Sequence, residues 1–160
     1  MQKQALNTLY HSAYSIHYHL VLVTKYRRRC ITPEIAAYLE SQYKRLLEAW
    51  ECELLECNGE PDHFHLLISA TPKIQPSKMV NSLKTATSRL VRKEFSEHLG
   101  KFYWKPVFYS RSYRVVSCTG APLEIVKRYL EQQEGFDYSH HCVVVRLSPP
   151  PKSTRQAHLI

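Results

Sequence analysis

Several short segments alternate apolar and polar residues with a period of two, which is the pattern of a half-buried β-strand. The clearest is "SIHYHLVLVTK", a β-branched and aromatic run whose successive side chains fall on opposite faces. The pattern predicts strands over residues 15–25, 51–59, 63–69 and 108–117. We expect the second strand to end in a turn at Asn58-Gly59.

The segments between these strands repeat their apolar residues every three or four positions, which predicts helices over 32–50, 75–99 and 121–133. Thr32 can cap the first helix and Pro33 suits its first position, and Gly135 ends the third. The predicted buried stripes are Ile35, Leu39 and Leu46 in the first helix and Met79, Leu83, Ala86 and Leu90 in the second.

The resulting order, β-α-β-β-α-β followed by an extra helix, predicts an α+β fold. It is the ferredoxin-like arrangement, also used by RNA-recognition (RRM-like) modules, with the helices on one face of the sheet. We expect a single domain over 1–135, including the last helix at 121–134. Residues 136–160, which are rich in Pro and Ser from Leu147 onward, form a partly disordered extension. The fold alone leaves the function open.

The chain carries a formal net charge of +8. A surplus this large attracts polyanions, of which nucleic acid is the commonest. The second helix has a basic, hydrogen-bonding face, which is either a nucleic-acid contact or a solvated helix back; its members are Lys78, Asn81, Thr85, Ser88 and Arg92.

The sequence favours a cytoplasmic protein without a membrane segment. The N-terminal "MQKQALNTLYHSAYS" lacks the apolar stretch of a signal peptide, and no apolar run is long enough to span a bilayer. The five cysteines include no Cys-x-x-Cys pair and suit small buried side chains in a reducing compartment.

Two histidines in the third strand, His63 and His65, share one face because strand side chains alternate. Two adjacent imidazoles can aim a nitrogen at one point about 2–2.3 Å away, the usual ligand distance. Alternatively, each could be a core histidine with its own buried partner, and periodicity alone slightly favours that interpretation. His17 and His19 have the same spacing. What favours His63 and His65 is the predicted helix at 121–133, which could complete a metal site beside them.

That helix carries Tyr129 and Gln133, which share a face because they are four residues apart. A phenol can attack phosphorus when it is deprotonated or polarised. The Gln133 carbonyl oxygen is an acceptable ligand for Mg²⁺ or Mn²⁺. The alternative is an aromatic side chain packed on a helix beside a solvated amide.

Taken in order, these motifs resemble the HUH-class single-tyrosine transposases of the insertion-sequence 200/605 group over about residues 14–134. The resemblance rests on "HLVLVTKYRRR", "PDHFHLLIS", "VNSLKTATSRLVRKEF", "SRSYRVVS" and "EIVKRYLEQQ". Related REP-associated transposases usually have Asn-Pro after the tyrosine. The "YLEQQ" of this chain therefore favours the insertion-sequence branch.

The resemblance implies a metal-dependent DNA transposase. His63, His65 and Gln133 would bind Mg²⁺ or Mn²⁺, and Tyr129 would be the nucleophile. It would attack single-stranded DNA and leave a 5′-phosphotyrosine and a free 3′-OH that can later rejoin strands. The enzyme would be a homodimer that recognises DNA with hairpin ends, and its tyrosine helix could swing about Gly120 to complete the partner's site in trans.

Basic residues near these motifs are candidates for phosphate contacts, assigned by charge and position. They are Lys25, Arg27, Arg28, Arg29, Lys84, Arg89 and Arg92. One alternative function is a non-catalytic nucleic-acid-binding module on the same fold. Another is a His-x-His metal hydrolase, for which Asp62 adjoins the pair but would face the other way in an extended strand.

Overall fold

The computed structural model describes residues 6–9 and 11–118. The strands are β1 (Asn7–Leu9), β2 (Ser12–Tyr14), β3 (Ile16–Thr24), β4 (Glu53–Glu60), β5 (His63–Ala70) and β6 (Tyr109–Ser117). The helices are α1 (Pro33–Glu48), α2 (Pro76–Glu94) and the short α3 (Ser96–Gly100), and a 3₁₀ turn covers Lys25–Arg27. The predicted tyrosine helix at 121–134 and the extension at 136–160 lie outside the described residues.

Four strands form one antiparallel sheet in the order β4-β5-β3-β6, so β3 lies at its centre between β5 and β6. From β3 to β6 the chain follows the predicted β-α-β-β-α-β order, and the α+β class is confirmed. β1 and β2 pair as a separate two-stranded sheet. The sequence did not predict them, because strands of three residues are too short to show a period.

The core lies between one face of the sheet and the two long helices. Leu20 on β3 and Phe64 on β5 are fully buried there, and the Tyr43 ring of α1 meets the Phe64 ring edge-on. A buried polar contact joins three elements, since the Tyr109 hydroxyl of β6 bonds to the hydroxyls of Tyr43 on α1 and Thr87 on α2. Because side chains alternate along β5, His63 and His65 lie on the opposite face of the sheet.

The first helix begins as predicted, since the Thr32 hydroxyl accepts a hydrogen bond from the Ile35 backbone N–H at 3.3 Å. Its buried stripe is partly different from the prediction, with Leu47 in place of the half-buried Leu46. The buried residues are Ile35, Leu39, Tyr43 and Leu47. They repeat every four positions, so the aromatic Tyr43 continues a stripe that a purely aliphatic pattern misses.

The second predicted helix is divided in two at Phe95, whose backbone (φ −114°, ψ 38°) is not helical. The predicted Ala86 and Leu90 are only half-buried, and their neighbours Thr87 and Val91 are buried instead. Thr87 is tolerated in the core because its hydroxyl donates to the Leu83 carbonyl and also bonds to Tyr109.

The predicted turn at Asn58-Gly59 is wrong. Both residues belong to β4, where Asn58 pairs with His65 and Gly59 with Phe64, and the turn falls at Pro61-Asp62. Gly59 is a glycine because α1 comes close to the strand there. A Cβ atom would lie 2.9 Å from the Ala36 Cβ and 2.9 Å from the Phe64 Cε1.

We expect Gly59→Ala to lower the free energy of unfolding by roughly 1–3 kcal/mol, because the methyl group overpacks a rigid contact. Gly100→Ala is the matched control, since nothing lies within 4 Å of a Cβ there, and it should change stability by less than about 0.5 kcal/mol. Urea unfolding followed by circular dichroism measures both. Equal stability of the two variants would contradict the close approach of α1 to β4.

Within the described residues, no helix has the length and apolar character needed to cross a membrane.

Candidate active site

His63 and His65 are the first and third residues of β5, directly after the Pro61-Asp62 turn. His65 is buried, with 7% of its surface exposed, and His63 is half-buried. The Nε2 atoms of the two rings lie 3.0 Å apart, and the rings meet edge-on. The strand therefore turns two imidazole nitrogens towards one point.

Asp62 holds His63 from the other side of its ring. The Asp62 Oδ1 lies 2.6 Å from the His63 Nδ1, and its Oδ2 accepts a hydrogen bond from Arg27 Nε at 2.9 Å. Partial burial pulls the pKa of Asp62 upward, but the hydrogen bonds from His63 and Arg27 outweigh it and leave that pKa below its usual value. The expectation that Asp62 faces away is wrong, because residue 62 lies in the turn and not in the extended strand.

His65 also has a partner on its second nitrogen. The His19 Nε2 lies 3.0 Å from the His65 Nδ1, and the two rings are nearly parallel. Burial is the main reason why the pKa values of both His19 and His65 fall to about 4, so both rings are neutral at neutral pH.

Sequence reasoning missed this role of His19 and treated it as half of a competing pair. The strand register supplies the missing information. Val21 lies opposite His65, and His19 lies opposite Leu67, so His19 is the diagonal neighbour of His65. His17 lies opposite Ser69 and is therefore farther from His65. Alternation along both strands could have placed His19 on the correct face, but only the register brings it into contact with His65.

The distance between His63 and His65 suits two ligands of one cation. Adjacent ligands in an octahedral shell, each about 2.1 Å from the metal, lie about 3.0 Å apart, and the two Nε2 atoms are 3.0 Å apart. Among the described residues, no group of three His, Cys, Asp or Glu side chains could hold a metal ion. Gln133, Tyr129 and Gly120 lie outside these residues.

A basic turn, formed by Lys25–Arg27, lies beside the histidines. Arg27 reaches Asp62, and with Arg114 of β6 it lines a depression of about 280 Å³ whose other lining residues are Val21, Val23, Ser112 and Tyr113. The turn is anchored, since the Thr24 hydroxyl donates to the carbonyls of Arg28 and Asp62. Lys25, Arg28 and Arg29, the other predicted DNA contacts in this region, lie in or just after the turn.

The remaining predicted DNA contacts, Lys84, Arg89 and Arg92, line a groove of about 300 Å³ between α2 and the segment around the start of β6. Lys84 Nζ donates to the carbonyls of Ser110 and Arg111 at 2.7 and 2.9 Å. It therefore ties α2 to β6, and burial lowers its pKa. Arg92 donates from Nε to the Ser88 carbonyl at 3.0 Å, which uses one of its five N–H donors.

Comparison with known proteins decides the family. The family model described as "Transposase IS200 like" matches residues 12–133, which is most of the chain. The chain belongs to the IS200-like transposases. The match includes the His pair and extends through Tyr129 and Gln133.

Individual members of the family agree with this assignment. The ISDra2 transposase TnpA of Deinococcus radiodurans is 28% identical over 120 residues, covering 75% of this chain and 85% of the relative. The transposase of insertion sequence element IS200 from Salmonella typhimurium is 28% identical over 126 residues, which cover 79% of this chain and 82% of the relative. A crystal structure of a Deinococcus radiodurans R1 protein assigned as a transposase superposes with a TM-score of 0.63 at 28% identity, over 83% of this chain and 98% of that one.

The IS200-like transposase is thus a DNA-cleaving enzyme that acts in DNA transposition. This favours the transposase function over the non-catalytic binding module. Enzymes of this family are generally metal-dependent, and the facing Nε2 atoms of His63 and His65 suit such a site.

Proposed function

We propose that this transposase cleaves and rejoins single-stranded DNA through a 5′-phosphotyrosine at Tyr129, with a divalent cation bound by His63, His65 and Gln133. The domain that does this spans residues 1–135, with 136–160 as an extension. We also propose that the reaction takes place in the cytoplasm.

The observation that carries the metal proposal is the 3.0 Å separation of the two Nε2 atoms, each on a ring fixed at its far side. A bound Mg²⁺ or Mn²⁺ would polarise the scissile phosphate and neutralise the charge that develops on it. His63 and His65 would hold the cation over the sheet face, the phosphate would bind to that cation, and the depression beside Arg27 and Arg114 would receive the neighbouring backbone.

Tyr129 is the proposed nucleophile because the family match extends beyond it to residue 133. Its phenol oxygen would form a bond to phosphorus while the bond from phosphorus to the 3′ oxygen breaks, which leaves a free 3′-OH on the other strand end. The new ester keeps the free energy of the broken bond, so the reverse attack by a 3′-OH can rejoin strands without ATP.

The test is the covalent intermediate itself. The protein is incubated with end-labelled single-stranded DNA from its own flanking sequence and with Mg²⁺ or Mn²⁺, then denatured and separated by gel electrophoresis. We expect label on the protein when it lies 3′ of the cleaved bond, and a shortened free strand when it lies 5′. Cleavage that leaves both products free of protein would reject the tyrosine mechanism and favour the metal-hydrolase alternative.

We propose that the substrate is single-stranded DNA with hairpin ends, bound through phosphate contacts. Arg89, Arg92 and Arg111 line one groove. The basic turn at Lys25–Arg27 borders the histidines, and Arg28 and Arg29 follow it directly. Exposed aromatic side chains are available to stack on unpaired bases, since 73% of Tyr26 and 90% of Trp104 are exposed. Trp104 also has Lys105 Nζ 4.7 Å from its ring centroid.

We expect Arg89→Gln and Arg92→Gln each to weaken hairpin binding and to reduce the slope of log affinity against log salt by about 0.7–0.9, the effect of one lost phosphate contact. Fluorescence anisotropy over a salt series measures the slope. Arg45→Gln, which removes the same charge from an α1 side chain bonded to Gln42, should leave the slope unchanged. Equal effects of all three substitutions would mean that only net charge matters.

We also propose a homodimer whose sites draw the His pair from one chain and Tyr129 and Gln133 from the other. A His65→Ala chain and a Tyr129→Phe chain should each be inactive alone. In a mixed dimer, a trans arrangement leaves one site with both defects and one intact, so co-expression should restore cleavage to roughly one site per dimer. Purified mixed dimers that stay inactive would indicate that each site is built from a single chain.

A further inference from the structure

The two candidate ligands differ in what supports them from behind. His63 has a carboxylate, Asp62, on Nδ1, whereas His65 has a second imidazole, His19, on Nδ1. A carboxylate only accepts hydrogen bonds, while a neutral imidazole can donate from one nitrogen and accept at the other. This difference has consequences for how the pair can hold a cation.

With all three rings neutral and no cation, the hydrogen bonds run in one direction. Asp62 accepts from Nδ1–H of His63, so Nε2 of His63 carries a lone pair. Nε2–H of His65 then donates to it across 3.0 Å, and Nδ1 of His65 accepts from Nε2–H of His19 across 3.0 Å. In this arrangement His19 is the partner of His65 Nδ1.

Binding a cation at the facing nitrogens requires a lone pair on both Nε2 atoms. His63 already has one, fixed by Asp62. His65 must carry its proton on Nδ1 instead of Nε2, and that Nδ1–H needs an acceptor because His65 is buried. The Nε2 of His19 is at the right distance to accept, provided that His19 carries its own proton on Nδ1. Each ring keeps one proton throughout.

We propose that His19 is a positioning residue that holds His65 in the tautomer able to bind the divalent cation. The inference rests on the proposed metal site and adds a residue to it that makes no contact with the metal. It also explains why position 19 carries a side chain that can both donate and accept, since a carboxylate there could not donate to His65 in the cation-free form and an apolar residue could do neither.

The test uses Mn²⁺ alone as the probe, without DNA, on the full chain. His19→Phe keeps a ring beside His65 but has no acceptor, whereas His19→Gln keeps an acceptor without a ring. His17→Phe is the control on the same strand. Isothermal titration calorimetry measures the dissociation constant for Mn²⁺, and electron spin-echo envelope modulation of bound Mn²⁺ detects coordinated imidazole nitrogen.

We expect His19→Phe to weaken Mn²⁺ binding by roughly 10- to 100-fold, the usual effect of removing such a partner, and to lose the signal of one imidazole. His19→Gln should stay close to the wild type, and so should His17→Phe. If His19→Phe fails to fold, His19→Ala takes its place as the variant without an acceptor. A folded His19→Ala protein with wild-type affinity would overturn the inference, and so would a His19→Gln protein that loses as much affinity as His65→Ala.

Two other outcomes overturn the proposal and can be told apart. A folded His19→Phe protein that binds Mn²⁺ as tightly as the wild type, with both imidazole signals, rejects the role of His19 alone. A wild-type protein that binds no Mn²⁺ rejects the metal site of the proposed function and the role of His19 with it.

Discussion

A Tyr129→Phe transposase is expected to form no covalent adduct with single-stranded DNA, a loss of roughly 10³-fold or more. The substitution removes only the hydroxyl oxygen, which is the atom proposed to attack phosphorus. The phenyl ring remains, so the substitution changes neither the charge nor the shape of the ring. Binding of a hairpin should stay within a few-fold of the wild type, because the proposed phosphate contacts are elsewhere in the chain.

The measurement is the denaturing gel described above, with anisotropy on the same preparation as the binding control. Tyr14→Phe is the matched substitution, since Tyr14 lies beside Ser69 and Ala70 at the end of β5 away from His63, and it should form adducts at the wild-type level. If Tyr129→Phe still forms adducts, the nucleophile lies elsewhere and Tyr138 is the next candidate.

Removing either imidazole of the His pair is expected to abolish cleavage. His63→Ala and His65→Ala each delete one of the two Nε2 atoms that face each other at 3.0 Å. Each should also weaken Mn²⁺ binding by more than the ~10–100-fold typical of a supporting partner. EDTA should stop the wild-type reaction, and Mg²⁺ or Mn²⁺ should restore it. Mn²⁺ is expected to be the better ion, because imidazole suits it more than Mg²⁺.

The control for this prediction is His17→Ala. It removes one histidine of the other His-x-His pair, His17 and His19, from the same face of the sheet. It should keep both metal affinity and cleavage. A His17 variant that loses the metal while the His65 variant keeps it would transfer the site to the other His-x-His pair. Retention of metal by both would place the cation away from either pair.

The sequence predicted the sheet and the His pair because both depend on short-range patterns. Alternation along residues 15–25 and 63–69 set the faces of the central strands, and it put His63 and His65 on one side. The errors arose where the tertiary structure decides. Tyr43 and Thr87 are buried because their hydroxyls meet Tyr109, and neither looks like a core residue by hydropathy.

The supporting residues of the site could not be predicted for a related reason. Asp62 contacts His63 because the turn falls at Pro61-Asp62, and the sequence favoured a turn at Asn58-Gly59 instead. His19 contacts His65 because of a register between strands that are more than forty residues apart. Local spacing carries no information about that register, so two pairs of equal spacing looked equivalent.

The basic turn beside the histidines has a backbone that is already fixed in the folded protein. Tyr26 and Arg27 both have positive φ values, 58° and 52°, which are unfavourable for residues other than glycine. Two hydrogen bonds anchor the preceding residue, from Lys25 N–H to the Phe108 carbonyl and from the Tyr103 hydroxyl to the Lys25 carbonyl, both at 2.8 Å. Ordering a loose segment costs about 1–2 kcal/mol of backbone entropy per residue. This entropy is lost when the chain folds, so the free energy of binding a DNA strand does not have to offset the cost of ordering the turn.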